Sequence, residues 1–346
     1  MAAVLQPQVS LPLRPSVQFY DLHPPVDDFR AEVIYGLSQP QKAIAPKFLY
    51  DQSGASLFDD ICTLDEYYLT RTEMGILRSH AAEIADLIGN GVLIEFGSGS
   101  SAKVRILLDA APRLSTYVAL DISKRHLYNA CFDLVEDYPQ LSAIALCTDY
   151  TQPIQLPDSP ELRHHKVGFF PGSSIGNLEP DDAIRFLKHT TTLLRSGVGQ
   201  AGGGQTGGGQ AGGGLIIGVD LKKDAAVLEP AYDDSRGISA AFALNLLDRM
   251  NRELGANFDR TQFSYRAVYN PDEGRIEMYI VSLIDQVVHL GAMPLVFAQG
   301  ETLRTEYSYK YTVAEFQDLA LHAGFRPYRV WVDPQQLFSV HYLTLE

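Results

Sequence analysis

The chain has 346 residues, 46% hydrophobic and 20% charged, and its 42 acidic against 28 basic side chains give a formal net charge of −14. That length and apolar content suit one large or two ordinary globular domains with a full core. The acidic balance argues against nucleic acid, whose binders need a basic face for phosphates. No stretch nears the ~18 uninterrupted apolar residues of a membrane span, so no membrane partner is expected.

Three widely spaced cysteines, Cys62, Cys131 and Cys147, offer neither a disulfide framework nor a zinc signature. They point to a reducing cytoplasm and to no metal. The N-terminus lacks the basic and apolar regions of a signal peptide.

In chain order, residues 1–25 are rich in proline and read as a loosely ordered arm. Asp27 to Leu37 has helical spacing, and "SGASLFDDICTL" suits a short helix. Thr72 to Leu87 reads as one helix with an acid in its first turn. Strands and helices then alternate: "GVLIEF", "SAKVRILLDAA", "TYVALDI", "SKRHLYNACFDLVEDY", "SAIALCTDY", "KVGFFPGSS", "EPDDAIRFLKHTTTLL" and "GLIIGVDL". This rhythm predicts a parallel sheet covered by helices on both faces. The run 197–214, built on G-G-G-Q units, reads as a flexible surface loop.

After Leu221 the pattern changes to helices followed by strands, an α+β block. Within it "TEYSYKY" (Thr305 to Tyr311) reads as a strand, placing Glu306 and Ser308 on one face and three tyrosines on the other. Alternation by itself favours an exposed Glu306 face with the tyrosines packed inward. The helix "TVAEFQDLALHAGF" and a terminal hairpin, "RPYRVWVD" and "FSVHYLTL", close the chain.

Glu95 to Ala102 follows a buried strand and opens a helix, and Gly97-x-Gly99-x-x-Ala102 fits a dinucleotide fingerprint. Asp121 ends the next strand, where it can accept ribose hydroxyls. A nicotinamide cofactor or S-adenosylmethionine fits this layout. Three features favour the methyl donor. Glu95 can order the turn and lie near a cationic methionine end. Asp149-Tyr150 suits an adenine amine and its π face. The terminal hairpin matches a seven-stranded methyltransferase sheet.

Tyr50-Asp51 with "SGASLFDDI", then "EYYLTRTE", "EFGSGSSAK", "GSSIGNL", "AYDDSRGISAAFALNLL", "NRELGANFD", "RIEMY" and "TEYSYKY" resemble the histidine Nα-methyltransferases of ergothioneine biosynthesis. The likeness runs from about Phe48 to the C-terminus; the family also holds fungal tryptophan-type N-methyltransferases. The resemblance implies an α/β fold, a Rossmann-like class I methyltransferase sheet at 72–221 and 311–346. It also implies a second, α+β substrate-binding domain at 20–71 and 222–310, beside the 197–214 loop and a 1–19 arm. It implies conversion of histidine to trimethylated hercynine with S-adenosylmethionine; the expected partner is the small-molecule substrate alone, and the expected state a monomer.

Carried over by position, the donor contacts are Gly97, Lys103, Asp121, Asp149 and Tyr150, with Glu95 from the turn. The amino-acid contacts are Tyr67, Asn177, Tyr232, Glu306 and Ser308, and Tyr50 and Met278 line the pocket. Asn177 follows a Gly-Ser-Ser-Ile-Gly turn where wound sheets place ligands, and its amide both donates and accepts; its plainer reading is a helix N-cap. Tyr67 and Tyr232 offer phenols to the substrate carboxylate, and Tyr50 can relay the amine proton. Glu306 and Ser308 suit an imidazole, which has a donor and an acceptor, better than an indole, which has one donor. Alternatives are methylation of another aromatic amino acid, or a non-catalytic binding module.

Overall fold

The computed structural model describes residues 17–22, 26–195 and 213–345. Its strands are β1 (Val17–Asp21), β2 (Lys42–Ala43), β3 (Val92–Phe96), β4 (Thr116–Asp121), β5 (Ser142–Cys147), β6 (Lys166–Phe170) and β7 (Gly214–Asp220). These continue as β8 (Phe263–Asn270), β9 (Arg275–Ser282), β10 (Gln286–Leu290), β11 (Met293–Phe297), β12 (Thr302–Tyr309), β13 (Phe325–Val332) and β14 (Phe338–Leu345). The chain forms two compact units: Met1–His23, Arg71–Leu221 and Tyr311–Glu346 in one, Pro24–Thr70 and Lys222–Lys310 in the other. Among the described residues no helix is long and apolar enough to cross a membrane.

The first unit is built on an eight-stranded sheet in the order β1-β5-β4-β3-β6-β7-β14-β13. β1 and β3 to β7 run parallel, and β14 pairs antiparallel with both β7 and β13. Every residue of β3, β6 and β7 is buried, as continuous apolar strands covered on both faces require. The helix Lys124–Asp137 packs on β4 and β5, and the helix Pro180–Arg195 packs on β6.

Three local expectations change. Part of the 1–19 arm is strand β1, whose Val17 and Phe19 are buried as it extends the sheet beside β5. The single helix at 72–87 is two, Tyr68–Ser79 and Ala81–Ile88, broken where His80 adopts non-helical φ −120° and ψ 15°. Of the run 197–214, residues 197–212 lie outside the described residues, and Gly214 is the first residue of β7. A Cβ on Gly213 would stand 1.9 Å from the Lys166 carbonyl oxygen, and one on Gly214 would stand 2.5 Å from the Tyr342 ring, so these two glycines serve the sheet.

The second unit holds a four-stranded sheet, β2-β12-β9-β8, and the hairpin β10–β11. β9 alternates strictly, with Ile276, Met278, Ile280 and Ser282 buried and the residues between them half-buried, the mark of a sheet with one core-facing side. The helix Ile238–Leu254 packs against β8 and β9 and against the helix Gln52–Ile61.

Candidate active site

In the first unit β3 lies between β4 and β6, β5 follows β4, and all four are parallel. Their C-terminal ends share one edge, so Gly97, Asp121, Asp149 and the turn after Phe170 come together there. Gly97 has φ +72° and Gly99 φ +48°, left-handed conformations that glycine adopts without steric cost. A Cβ on Gly97 would approach the Tyr150 ring to 3.5 Å, so the bare backbone and that ring form the walls of a cradle. Tyr150 is braced edge-on by Phe170, Phe186 and Phe96.

The acid that orders this turn is Asp121, not Glu95. Asp121 Oδ2 accepts from the Gly99 amide at 3.2 Å, and Oδ1 accepts from the Ser123 amide at 2.9 Å. Burial raises its carboxyl pKa, against these stabilising amides. Glu95 lies within the sheet, 1% exposed, and accepts from the Tyr117 hydroxyl at 2.5 Å. Burial pushes Glu95 up to about 8, although the Tyr117 bond and Lys103 favour its charged form. Asp149 Oδ1 accepts from both the amide and hydroxyl of Thr151, at 3.0 and 2.6 Å, which fixes its carboxylate.

Lys103 pairs with Glu73 at 2.6 Å. Glu73, by spacing a first-turn helix acid, lies in the middle of the helix Tyr68–Ser79 and is fully buried. Its two oxygens accept from the Gly172 amide at 3.0 and 2.9 Å. A Cβ on Gly218 would stand 2.1 Å from Glu73 Oε1, so a missing side chain on β7 makes room for this carboxylate. The same turn carries Asn177, the last residue of the short helix Ser174–Asn177. The next helix starts at Pro180, which removes the N-cap reading of Asn177.

In the second unit, register settles the side of the sheet that Glu306 faces. Glu306 lies opposite buried Met278 and Ser308 opposite buried Ile276, while Tyr307 and Tyr309 pair with Glu277 and Arg275. Glu306 is 8% exposed, and burial pushes its carboxyl up to about 8, partly opposed by Lys310. A register shift between Arg304 and Glu306 buries Thr305 as well, and its hydroxyl donates to the Met278 carbonyl at 3.2 Å. The tyrosine face is not simply solvent. Tyr309 is buried and accepts from Arg275, whose guanidinium stacks 3.6 Å from the Tyr307 ring centroid.

Tyr232 joins Ser308 across 2.9 Å, and Lys310 donates to Tyr232 Oη at 2.5 Å and to Ser308 Oγ at 2.7 Å. The Tyr67 ring meets the Tyr232 ring edge-on at 5.9 Å. Burial first, then the neighbouring Tyr232, raises the Tyr67 phenol well above its ordinary range. Tyr265 donates to the Tyr232 carbonyl at 2.9 Å. Tyr50 lies edge-on to Phe58 and Phe242, at 5.5 and 5.3 Å, in a continuous aromatic wall that also includes Tyr67. Asp51 anchors that wall by accepting from the Gly54 amide and the Asn245 side chain.

Each unit therefore gathers one set of the expected residues. Gly97, Lys103, Asp121, Asp149, Tyr150, Glu95 and Asn177 belong to the first, and Tyr50, Tyr67, Tyr232, Met278, Glu306 and Ser308 to the second. Neither Glu73 nor Lys310 is among the site residues expected from the sequence. Lys310 was findable, since it continues the alternation that picks out Glu306 and Ser308.

The profile of a family described as "Histidine-specific methyltransferase, SAM-dependent" matches residues 29–345. The chain is 38% identical over 316 residues to a histidine N-alpha-methyltransferase of Mycolicibacterium smegmatis, covering 90% of this chain and 93% of that one. It is 36% identical over 309 residues to the Mycobacterium tuberculosis protein of the same name, covering 88% and 91%. It is 32% identical to ergothioneine biosynthesis protein 1 of Neurospora crassa over 86% of this chain and 32% of that longer protein.

Proposed function

We propose that this chain, which belongs to the histidine-specific, S-adenosylmethionine-dependent methyltransferases, trimethylates the α-amino nitrogen of L-histidine to hercynine, the first step of ergothioneine biosynthesis. The observation that carries the substrate is Glu306 and Ser308 buried on one face of β12 beside the Tyr232 hydroxyl.

The first unit's residues fit the donor. Two glycines at positive φ leave the backbone open, and the Tyr150 ring forms a wall. Among the described residues the buried Ser98 hydroxyl between those glycines has no hydrogen-bond partner, so a ligand there would satisfy it. Asp121 and Asp149 present fixed carboxylates to polar hydrogens of a nucleoside, and Lys103, neutralised by Glu73, adds a donor to a carboxylate. When bound, S-adenosylmethionine supplies a methyl group on a positively charged sulfur, open to displacement by an amine lone pair.

The chain's own task is then alignment and exclusion of water. Tyr67 and Tyr232 hold the amino-acid carboxylate, and the Asn177 amide, both donor and acceptor, suits an amine or a carboxylate. The amine must be uncharged to react, and Tyr50 relays its proton. Each added methyl removes an N–H donor, so the grip on carboxylate and side chain keeps the nitrogen in place. Met278 and the Tyr50–Phe58–Phe242 wall keep the pocket apolar. An indole would satisfy Glu306 and leave Ser308 unmatched, at a cost of about 1–3 kcal/mol for a buried polar group. That disfavours the tryptophan-type reading.

The test is to incubate the purified protein with S-adenosylmethionine and mixed amino acids and follow mass gains of one to three methyl groups. Histidine should gain three. No methylated amino acid would sink the reading, and preferential tryptophan methylation would sink its substrate. A cytoplasmic monomer completes the proposal, and light scattering giving a dimer mass would correct it.

A further inference from the structure

Glu73 is a fully buried carboxylate in the helix Tyr68–Ser79, and it ties together segments far apart in the chain. One oxygen pairs with Lys103, in the first turn of the helix Ala102–Ala110, and both accept from the Gly172 amide just beyond β6. A buried ion pair adds little net stability, because desolvation offsets its attraction, and well-packed apolar residues would hold a core as well. An apolar side chain, however, could not accept from the Gly172 amide.

That amide opens a strained turn. Gly172 has φ +83° and Ser173 φ +61°, two left-handed residues in succession, the second of them not a glycine. Such a conformation persists where its surroundings over-determine it, and here they do. Ser173 Oγ accepts from the Asp220 amide at 2.9 Å, and the Ser173 carbonyl accepts from the Gly176 amide at 2.9 Å. Ser174 Oγ donates to the Pro171 carbonyl at 3.1 Å. The turn runs directly into the short helix Ser174–Asn177. A Cβ on Gly172 would stand 3.3 Å from Lys103 Nζ, so the ammonium lies against the backbone of this turn. We propose that Glu73 is a positioning residue for methyl transfer, fixing the spacing between Lys103 on the donor side and Asn177 on the acceptor side. In-line displacement makes that spacing decisive, and a misplacement of about 1 Å can cost some 100-fold in rate. The third transfer depends on it most, since a neutral dimethylated nitrogen keeps no N–H donor by which to be drawn into line.

This inference rests on histidine being the substrate. Its test compares wild type with two variants. Glu73→Gln keeps the length and one carbonyl acceptor but not the charge, and Glu73→Asp keeps the charge but is one methylene shorter. kcat and KM are measured with histidine and with Nα,Nα-dimethylhistidine, beside thermal melts and calorimetric binding of S-adenosylhomocysteine. In both variants kcat for histidine should fall roughly 10- to 100-fold, the scale of a misalignment of up to about 1 Å. KM for histidine should stay within about threefold, the mark of an effect felt in the transition state. S-adenosylhomocysteine affinity should fall less than kcat does. For dimethylhistidine kcat should fall at least about threefold further, so that mono- and dimethylated products accumulate. A merely structural role would slow both substrates equally, in proportion to the unfolded fraction. That result, a kcat within about threefold of wild type in either variant, or a loss confined to KM overturns the proposal. Should both variants fail to fold, Gly218→Ala serves, since its methyl would crowd Glu73 Oε1 without changing any charge. If it leaves the ratio of the two kcat values unchanged, the proposal falls. A wild type that methylates no histidine refutes the substrate reading instead, and the same ratio is then taken on the amino acid it does methylate.

Discussion

The candidate sites of the two units are built by different physical means. In the first, the candidate donor site consists of strand ends and turns, where open backbone and short carboxylates do the work. Its geometry follows from parallel strands ending at one edge, and its residues fall in short stretches at those ends: Glu95 to Lys103, Asp121, Asp149-Tyr150 and Gly172 to Asn177. In the second, the candidate amino-acid pocket is made of long side chains from dispersed segments: Tyr50 and Tyr67 early, Tyr232 midway, and Met278 with Glu306 to Lys310 late. Backbone cradles suit a ligand recognised by its shared core, whereas side-chain pockets suit discrimination among similar side chains. Each unit also buries a carboxyl shifted up to about 8, Glu95 in one and Glu306 in the other.

Those two carboxyls predict the largest effect, through pH. Both pKa values are higher in the folded protein than in the unfolded chain. The folded state therefore holds protons that the unfolded state releases, and stability falls as pH rises. The window runs from about pH 4.5 to about 8, with a slope of up to about 1.4 kcal/mol per pH unit for each carboxyl. Denaturant melts at pH 5, 6, 7 and 8 should show the decline, and Glu95→Gln and Glu306→Gln should each flatten it. Slopes unchanged by both variants would show that neither carboxyl stays protonated.

Glu73→Ala strips the buried partner from Lys103 and from the Gly172 amide. Urea denaturation should show a loss of about 3 kcal/mol, the scale for breaking a buried pair, reduced because Lys103 is partly exposed. Donor binding should weaken with it. Intact donor affinity would separate Glu73 from the donor site and blunt the comparison between the units.

Glu306→Ala should cost about 2 kcal/mol of histidine affinity, or some 30-fold, while donor affinity stays within twofold. Calorimetry with each ligand separately reads both. Equal loss of both affinities would contradict the division of labour. Gly97→Ala tests the opposite corner, since a residue other than glycine at φ +72° costs about 1–2 kcal/mol and its methyl would face the Tyr150 ring. Donor affinity should drop and histidine affinity should not. Tyr307→Ala, on the other side of β12, should leave histidine KM within twofold and stability within about 1 kcal/mol.

Much of the fold was legible because its signals are local. Buried strand runs, helical spacing and the terminal hairpin are patterns within single segments, and they led to the wound sheet and its antiparallel end. β1 escaped because five residues of alternation sat in a proline-rich context, and the partner that stabilises them, β5, is more than a hundred residues away. The break at His80 escaped because the apolar spacing continues across it.

The candidate site divides in the same way. The glycine turn, Asp121 and Asp149-Tyr150 are visible because their roles depend on strand ends. By itself the sequence determined the layered α/β architecture, the methyl-donor layout and, through its motifs, the family. Tertiary structure alone decided that Asp121 rather than Glu95 holds the turn, and that Glu73 is a buried anchor. It also decided that Glu306, Ser308 and Lys310 face inward, because alternation divides a strand into two faces without saying which is buried. Pairing with β9, whose Met278 and Ile276 already point to the core, made that choice.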